Sequence, residues 1–326
     1  MIKYSITIPA YKGKFLAEAI ESCLAQTCVD FELIIVNDCS PEDLESIVGR
    51  YNDSRIRYYV NEKNFGAVDV VDNWNKCLSY ARGEYVICMG DDDRLLPSCL
   101  EEYNTLIEKY PNLDVYHART ELINENGDFV GLQDARPEWE SAYSALWHIC
   151  SYHRIQFIGD YLYRTSSLRK AKGFYKLPLA VYSDNISAVR AAKERGIANT
   201  QNICFQYRVN QYTITNNSQP RILVFSIKKA YDWFLDFLSD EPVRDEDMKC
   251  RELLLKGALR RQINSVMLEV IDRDLHKNGT KAFSYWRGVY GELGIEKWEI
   301  ELKLRLFRKR LYKDRIKNFF RKILRK

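Results

Sequence analysis

Three consecutive carboxylates, Asp91-Asp92-Asp93, directly follow an apolar run and a single flexible residue, Gly90. Carboxylates this close repel each other, since two of them about 4 Å apart cost roughly 4 kcal/mol at an effective dielectric constant near 20. A divalent cation would relieve this repulsion, because Mg²⁺ and Mn²⁺ prefer oxygen ligands and Mg²⁺ is usually held by one or two carboxylates plus substrate phosphates. The triplet therefore predicts a metal site, and the alternative is a solvated acidic turn.

Alternating strand and helix signals position this triplet. Strand-like runs occupy 4–9, 31–36, 55–60 and 84–89, and helical spacing follows each run. Four such repeats in about 110 residues predict a parallel sheet covered by helices. Ligands of such sheets bind at the carboxyl ends of the strands, near the point where strand order reverses. We therefore expect the triplet to lie beside two other polar strand ends, Pro9-Ala10-Tyr11 and Asn37-Asp38-Cys39-Ser40.

The remainder of the chain divides into a mixed part and a helical part. Residues 111–218 contain strand-like stretches at 113–123 and 155–163 and a helix at 184–195, and we expect this half to hold the second substrate. From 219 onward the pattern is almost wholly helical, with breaks at Pro242 and Gly279. The predicted fold is α/β, with a Rossmann-like, mostly parallel sheet over 1–218 and a helical C-terminal module over 219–326.

Composition and cysteine usage restrict the class of protein. The chain has 326 residues, of which 46% are hydrophobic, so it can bury a substantial core. Its nine cysteines include no CxxC pair, which is typical of reduced thiols in a reducing cytosol. The N-terminus lacks the pattern of a secretory signal, and no apolar run reaches the length of a membrane span. These features predict a cytoplasmic protein.

Positive charge is concentrated at the C-terminus. Residues 303–326 contain twelve Lys or Arg and one acid, Asp314, within a predicted helix over 296–325. Apolar residues form one stripe of that helix: Leu304, Phe307, Leu311, Tyr312, Ile316, Phe319, Phe320 and Ile323. Such a helix suits an anionic membrane surface. The alternative is a stripe packed on the protein with a solvated basic face, and nucleic-acid binding is disfavoured because no groove-reading motif accompanies the charge.

Several segments together resemble the family 2 glycosyltransferases of the GT-A fold. They are Thr7-Ile8-Pro9-Ala10-Tyr11, the run 20–27, Phe31 to Ser40, Asn64-Phe65-Gly66, Asn73, the run 81–85 and the Asp triplet before Leu95-Leu96-Pro97. The resemblance covers 1–110 closely and 155–215 moderately, with nothing similar beyond about 220. It implies a GT-A fold over 1–218, with a nucleotide-binding half at 1–110 and an acceptor half at 111–218.

The resemblance assigns a nucleotide site to the first half. It implies that Tyr11 offers an aromatic face to the base and that the backbone of Pro9 and Ala10 hydrogen-bonds to the edge of the base. Asp38 would accept the imide N–H of uracil or an equivalent group, and Asn64 would lie on the loop beside the nucleotide. A UDP-sugar is the favoured donor. The alternatives are a core tyrosine at 11, a helix cap at Asp38 or Ser40, and a simple turn at 64.

The same resemblance divides roles within the acidic triplet. Aligned on Pro97, Asp92 becomes a ligand of Mg²⁺ or Mn²⁺, Asp91 contacts the ribose, and Asp93 is a supporting carboxylate of the metal site. The metal would bridge the diphosphate and neutralise the charge that develops on the leaving group.

Two further residues complete the implied site. An inverting transfer needs a base for the acceptor hydroxyl, and the resemblance points to Asp184, although Ser183 stands where the family often has another acid. A helix cap is the alternative for Asp184. In the segment from Gln206 to Thr215, Asn210 replaces a family histidine, so Arg208 is expected to contact a phosphate; a surface-strand arginine is the alternative.

These features predict an inverting, metal-dependent transferase that moves a sugar from a nucleoside diphosphate sugar to a hydroxyl of a growing surface polysaccharide or lipid-linked oligosaccharide. A nucleotidyltransferase is one alternative, although the glycine-rich basic loop of that class is missing. A non-catalytic, membrane-recruited subunit that binds sugar nucleotides is the other, and the residues at 183 and 210 favour it. The four histidines lack zinc-site spacing, and no Walker A or GxGxxG motif occurs.

Overall fold

The computed structural model describes residues 2–210, 219–294 and 298–309, and a ten-stranded sheet lies at its centre. The strands are β1 Tyr4–Ala10, β2 Phe31–Asn37, β3 Ile56–Val60, β4 Tyr85–Cys88, β5 Arg94–Leu95, β6 Val115–Ile123, β7 Phe129–Leu132, β8 Trp139–Glu140, β9 Tyr161–Arg164 and β10 Ile197–Arg208. Their spatial order is β3-β2-β1-β4-β9-β6-β10-β5, with β7 paired to β6 and β8 paired to β10.

The first half of this sheet is parallel, as the sequence predicts. β1 pairs in parallel with both β2 and β4, and β2 pairs in parallel with β3. Strand order therefore reverses at β1, which places a ligand crevice at the carboxyl ends of β1, β2 and β4. Beyond β4 the sheet becomes mixed, since β9 runs antiparallel to both β4 and β6.

Helices cover both faces of the sheet. They are α1 Leu16–Leu24, α2 Leu44–Val48, α3 Val70–Tyr80, α4 Cys99–Lys109, α5 Ala142–Cys150, α6 Thr165–Lys170, α7 Ser183–Ala192, α8 Pro220–Phe237, α9 Asp245–Leu253, α10 Leu259–Val289 and α11 at residues 298–309. α2 begins at Leu44, because Asp43 accepts from the backbone N–H of Ser46 at 3.0 Å and caps the helix there. The predicted strand at 155–163 is instead a 3-10 turn, Ile158–Asp160, followed by β9.

The two faces of the sheet carry separate hydrophobic cores. Successive residues of β2 alternate between them, with Leu33 and Ile35 in one cluster and Ile34 and Val36 in the other. The cluster around Ile34 also contains buried residues of α8, α10 and α11. The helical C-terminal part therefore shares one continuous core with this face of the sheet, and its main contacts are with α5 and the turn Pro178–Ala180.

Predictions for the C-terminal helices are only partly confirmed. The break predicted at Gly279 is a local departure from helical geometry (φ 59°, ψ −130°) within α10, which continues beyond it. In α11, Leu304 and Phe307 of the predicted stripe are buried in the protein core. The rest of the stripe, from Leu311 onward, lies outside the described residues. Within the described ranges, no helix is both long and apolar enough to span a membrane.

Candidate active site

The carboxyl ends of β1, β2 and β4 meet, as the sequence predicts. The backbone N–H groups of Tyr11 and Lys12 both donate to Oδ2 of Asp91 at 2.7 Å, which joins the end of β1 to the loop after β4. The backbone N–H of Asp38 donates to the carbonyl of Ala10 at 2.9 Å, which joins the ends of β2 and β1. The three predicted polar segments therefore form one crevice.

Tyr11 lies at the rim of this crevice. Its side chain is 43% exposed, so the alternative of a core tyrosine is wrong. Its carbonyl accepts a hydrogen bond from Oγ of Ser40 at 2.6 Å, which fixes the backbone beside Pro9 and Ala10. An aromatic ring held by its backbone and open to solvent on one side can stack on a planar base.

Asp38 organises the neighbouring loop. Its carboxylate accepts from Nδ2 of Asn61 at 3.0 Å and from the backbone N–H of Phe65 at 3.0 and 3.2 Å. Its carbonyl accepts from Nδ2 of Asn64 at 2.8 Å. A carboxylate offers about four lone-pair sites, so this arrangement leaves capacity for one more donor. Contact of Asp38 or Asn64 with a base stays a prediction.

The acidic triplet is largely enclosed. Asp91 and Asp93 are only 8% and 3% exposed, whereas Asp92 is more accessible. Burial and the charge of Asp92 raise the pKa of Asp91 to about 6 and the pKa of Asp93 well above its ordinary value. A Cβ at Gly90 would lie 2.9 Å from Oδ1 of Asp92 and from Oδ2 of Asp93, so only glycine lets the two carboxylates fold back this closely.

Arg208, at the end of β10, occupies a different position from the one predicted. Its side chain is fully buried, with the guanidinium 4.1 Å from the ring centre of Phe15. The guanidinium donates to four oxygens of the protein: the carbonyls of Asp92 (2.8 Å), Asn124 (3.1 Å) and Glu125 (3.2 Å) and the carboxylate of Glu18 (2.7 Å). It is therefore neither a surface-strand arginine nor placed to contact a phosphate. It instead supports the acidic loop from the interior of the protein.

Backbone and amide groups complete this support. The backbone N–H of Arg208 donates to Oδ1 of Asp93 at 3.0 Å, and Nδ2 of Asn210 donates to Oδ2 of Asp92 at 2.7 Å. Asn210, which replaces a histidine of the family motif, thus lies at the acidic loop. Glu18 was not predicted, because an acid in the first turn of a helix such as α1 usually has only a local role.

The donor set fits a metal site that substrate completes. Nowhere in the described parts of the chain do three or more His, Cys, Asp or Glu side chains form a ready metal cage. Asp91 and Asp93 each accept backbone N–H groups, which leaves Asp92 as the accessible carboxylate. Mg²⁺ is commonly bound by one or two carboxylates together with substrate phosphates and water. The arrangement is therefore suitable for Mg²⁺ or Mn²⁺ carried with a diphosphate.

Asp184 lies in the first turn of α7. Its Oδ1 accepts the backbone N–H of Asn185 at 2.8 Å. Burial of the carboxyl group, assisted by the charge of Asp160, raises the pKa of Asp184 to about 7. A carboxylate with a pKa near neutrality is well suited to accept a proton at physiological pH.

The backbone that presents Asp184 is strained. Leu179, Ala180 and Tyr182 have φ values of 63°, 54° and 59°, in the left-handed region that non-glycine residues rarely occupy. Each such residue costs of order 1–3 kcal/mol and persists only where its surroundings hold it. Here the backbone N–H of Leu179 donates to the carbonyl of Val68 at 2.9 Å, and Oγ of Ser226 in α8 donates to the carbonyl of Pro178 at 2.8 Å.

The charges on both sides of the site act on one aromatic residue, Tyr207. Burial raises the pKa of Tyr207 above its ordinary range, and the charges of Asp93, Asp92 and Asp184 add to the effect. Tyr207 therefore lies within electrostatic reach of both the acidic triplet and Asp184. Its ring stacks on Phe157, with ring centres 3.5 Å apart. Sequence reasoning missed this residue, because a tyrosine in a strand gives no sign of what lies beside it.

Solved structures of proteins that bind sugar nucleotides share this fold. S. aureus TarS (residues 1–349, in complex with UDP-GlcNAc) superposes with a TM-score of 0.59 at 17% identity, covering 87% of this chain and 75% of TarS. The mannosyltransferase PcManGT from Pyrobaculum calidifontis, in complex with GDP-Man and Mn²⁺, gives a TM-score of 0.51 at 12% identity, covering 94% of this chain and 84% of PcManGT. The predicted α/β fold class is confirmed.

Sequence comparisons identify the family. The Escherichia coli protein WfgD, a UDP-Glc:α-D-GlcNAc-diphosphoundecaprenol β-1,3-glucosyltransferase, is 28% identical over 247 residues, which span 74% of this chain and 88% of WfgD. The model of the family described as "Glycosyl transferase family 2" matches residues 5–170, more than half of the 326 residues. The segment contains Tyr11, Asp38 and the whole acidic triplet. The chain therefore belongs to the family 2 glycosyltransferases, as its motifs predict.

Proposed function

We propose that this glycosyltransferase moves a sugar from a UDP-sugar to a hydroxyl of a growing polysaccharide or lipid-linked oligosaccharide, with inversion at the anomeric carbon. The observation that supports this proposal is the combination of an enclosed acidic loop, in which Asp92 is the accessible carboxylate, with a separate carboxylate, Asp184, whose pKa burial raises to about 7. WfgD uses UDP-Glc and a diphosphoundecaprenol-linked acceptor, and TarS binds UDP-GlcNAc, which supports the choice of donor and acceptor class.

The donor nucleotide is proposed to bind at the carboxyl ends of β1 and β2. Tyr11 stacks on the base, while the backbone beside Pro9 and Ala10 hydrogen-bonds to the base edge. Asp38 accepts an N–H of the base, which adds one donor to those that it already holds. Asn64 keeps the adjoining loop against Asp38, and Asp91 contacts the ribose.

Asp92 is the proposed metal ligand, with Asp93 as a supporting carboxylate. Mg²⁺ or Mn²⁺ bound there would neutralise the charge that develops on the departing nucleoside diphosphate. Arg208 keeps the loop that carries both carboxylates in place through its hydrogen bond to the carbonyl of Asp92. The protein thus supplies a preorganised site, which costs no rearrangement when the bond to the leaving group breaks.

Asp184 is the proposed general base. Its carboxylate removes the proton of the acceptor hydroxyl as that oxygen attacks the anomeric carbon. The bond between the anomeric carbon and the donor phosphate oxygen breaks, and its electron pair leaves with the nucleoside diphosphate. Attack on the face opposite the leaving group inverts the configuration. Proton transfer by a positioned side chain contributes typically 10²–10⁴-fold to such reactions.

We also propose that the enzyme works at the cytoplasmic face of a cell membrane. Its acceptor would be lipid-linked, and the basic segment 303–326 would be attracted to anionic lipid headgroups. Most of that segment lies outside the described residues, so the proposal depends on its composition.

A donor panel tests the proposed activity. Purified protein is incubated with UDP- and GDP-sugars in Mn²⁺, Mg²⁺ or EDTA, and released nucleoside diphosphate is measured. We expect metal-dependent release with a UDP-sugar, lost in Asp92→Ala and kept in the control Asp240→Ala, which removes a surface carboxylate paired with Lys193. Binding without release would indicate a non-catalytic subunit. Full activity of Asp92→Ala would overturn the metal assignment.

A further inference from the structure

Helix α11 presents apolar residues on two different sides. One set is buried in the protein core: Ile300, Leu304 and Phe307. The other set is exposed to solvent by 65%, 50% and 54%: Trp298, Leu302 and Leu306, respectively. The second set is called the α11 stripe below. It is distinct from the stripe predicted from the sequence, whose first members, Leu304 and Phe307, face inward.

The buried side fixes the orientation of the helix. The ring of Phe307 lies 6.5 Å from that of Phe283 in α10, and the guanidinium of Arg308 lies 5.2 Å from the same ring. Nδ2 of Asn264 in α10 donates to Oε2 of Glu299 at 2.9 Å. Because α11 is attached to α10 at both ends, the α11 stripe is held on the outer surface.

The spacing of the α11 stripe makes it one continuous surface. Its three residues are four positions apart, and side chains at that interval lie on the same side of a helix. With a rise of 1.5 Å per residue, the stripe is about 12 Å long. Single exposed apolar residues are normal, but an aligned set with a tryptophan marks an interaction surface.

Basic residues outnumber acidic ones around this surface. Lys303, Arg305, Arg308 and Lys309 lie on α11 together with Glu299 and Glu301, of which Glu301 pairs with Arg305 at 3.7 Å. Residues 303–326 together hold twelve of the chain's 49 Lys and Arg residues with a single acid. A cationic rim around a tryptophan and leucine surface complements anionic lipid headgroups, where amphipathic aromatic rings are favoured. A second copy of the chain is a poorer partner, because two segments of this charge would repel each other.

We propose that the α11 stripe docks on an anionic membrane surface, with Trp298, Leu302 and Leu306 entering the headgroup region and the basic residues contacting lipid phosphates. The inference rests on the proposed function only for its purpose, which is to bring the active site to a lipid-linked acceptor. The contact itself needs neither donor nor acceptor, so it can be tested independently of catalysis.

Vesicle flotation tests the surface directly. Full-length protein is mixed with vesicles of phosphatidylcholine alone or of phosphatidylcholine with phosphatidylglycerol, with no acceptor lipid. We expect flotation with the anionic vesicles, reduced about tenfold or more by the triple variant Trp298→Ser/Leu302→Ser/Leu306→Ser. A matched triple variant on α9 and the turn after it, Met248→Ser/Leu253→Ser/Leu255→Ser, removes residues 48%, 47% and 46% exposed and should float like the unmodified protein.

Further measurements make each outcome decisive. Vesicles with brominated acyl chains should quench the fluorescence of the unmodified protein, and Trp298→Phe should lose most of that quenching. Equal flotation of the α11 triple variant would overturn the proposal and leave binding to charge alone. A dimer seen by light scattering that the triple variant dissociates would assign the surface to a second copy instead, and retention of the unmodified protein by RNA would assign it to nucleic acid.

The triple variant also separates this inference from the proposed function. Circular dichroism confirms that the variant is folded, and its release of nucleoside diphosphate from a UDP-sugar should be unchanged. Failure of the unmodified protein to float on the anionic vesicles, with normal donor turnover, overturns only the docking surface. Normal flotation without donor turnover overturns only the proposed catalysis.

Discussion

The acidic loop at Asp91-Asp92-Asp93 and the lone carboxylate of Asp184 are held in opposite ways. The loop is fixed by many groups from distant parts of the chain, including two backbone N–H groups on Asp91 and the buried Arg208. Asp184 accepts one described hydrogen bond, from its own neighbour Asn185, and follows a strained backbone segment. The loop has the features of a rigid cluster of carboxylates that can bind a cation. Asp184 has the features of a group that can gain and lose a proton.

Their charges follow from this difference. Burial raises the pKa of Asp91 and Asp93 as well as that of Asp184, but a cation bound at the loop would favour the ionised form there, whereas nothing comparable lies beside Asp184 in the described residues. A proton acceptor needs a pKa near the working pH, while a metal ligand must remain ionised. The same side-chain type thus serves two purposes because its surroundings differ.

Asp184→Asn removes the proton acceptor but leaves the acidic loop unchanged, and it should have the largest effect. We expect transfer to acceptor to fall about 10²–10⁴-fold, because an amide cannot take the proton of the hydroxyl. Binding of UDP with Mn²⁺, measured by calorimetry, should stay within a few-fold of the unmodified protein. A variant that transfers sugar normally would remove Asp184 as the base and leave it a local role in the first turn of α7.

Asp184→Asn should be more stable than the unmodified protein at high pH. The pKa of Asp184 is raised from 3.8 to about 7, so its contribution favours folding at low pH and is lost as the pH rises through about 7. Removing the charge should therefore raise the unfolding free energy at pH 8 by on the order of 1–3 kcal/mol. Denaturant unfolding at pH 8 and pH 4 checks this, with little difference expected at pH 4.

The pH dependence of turnover should reveal the same group. Because the base must be ionised, kcat should rise with pH and level off above about 7. Between pH 7.5 and pH 5.5 we expect a loss of about 20- to 30-fold for a single group of this pKa. Donor binding measured over the same range, at fixed metal concentration, serves as the control. A flat profile would contradict the assignment.

Arg208→Lys tests the support of the acidic loop. A lysine cannot reproduce the fork that reaches Asp92, Asn124, Glu125 and Glu18, so buried acceptors lose their donors. We expect a loss of about 2–4 kcal/mol in unfolding free energy and roughly tenfold weaker metal-dependent UDP binding. Arg94→Lys, which also pairs with Glu18 but is partly exposed, should cost less. Equal effects would argue against a special role for Arg208.

Gly90→Ala should have the smallest effect on the loop. Its Cβ would approach oxygens of Asp92 and Asp93 to 2.9 Å, so the loop must shift by a few tenths of an ångström. We expect the apparent affinity for Mn²⁺ in the donor assay to fall a few-fold, with the stability changed by about 1 kcal/mol. Unchanged metal affinity would show that the loop is less rigid than its hydrogen bonds indicate.

Sequence reasoning predicts an element correctly where the residue pattern of that one segment is sufficient. The strands β1, β2 and β4 are short apolar runs buried on both faces, so their pattern can be recognised without knowledge of their partners. β10 was not predicted, because polar residues at 199–202 interrupt it and its register shifts where it pairs with β6. It is a strand only because β6 and β5 lie beside it, which is information from elsewhere in the chain.

The site shows the same limit. The acidic triplet, Tyr11 and Asp38 lie at strand ends, so topology alone brings them together. Arg208 was misplaced, since its partner Glu18 is 190 residues away and nothing near it indicates burial. The strained residues before Asp184 include no glycine, so no local signal predicts their left-handed backbone.

The contacts between α8 and the segment before Asp184 have a consequence for exchanging parts between relatives. Ser226 holds the carbonyl of Pro178, and the ring of Phe234 lies 5.9 Å from that of Tyr182. A chimera that imports the segment 178–184 alone would lose the helix that holds its strained backbone. We expect acceptor preference to be transferred only when Pro220–Phe237 is exchanged together with that segment. The unit that determines acceptor preference would then consist of two segments that are separate in the sequence.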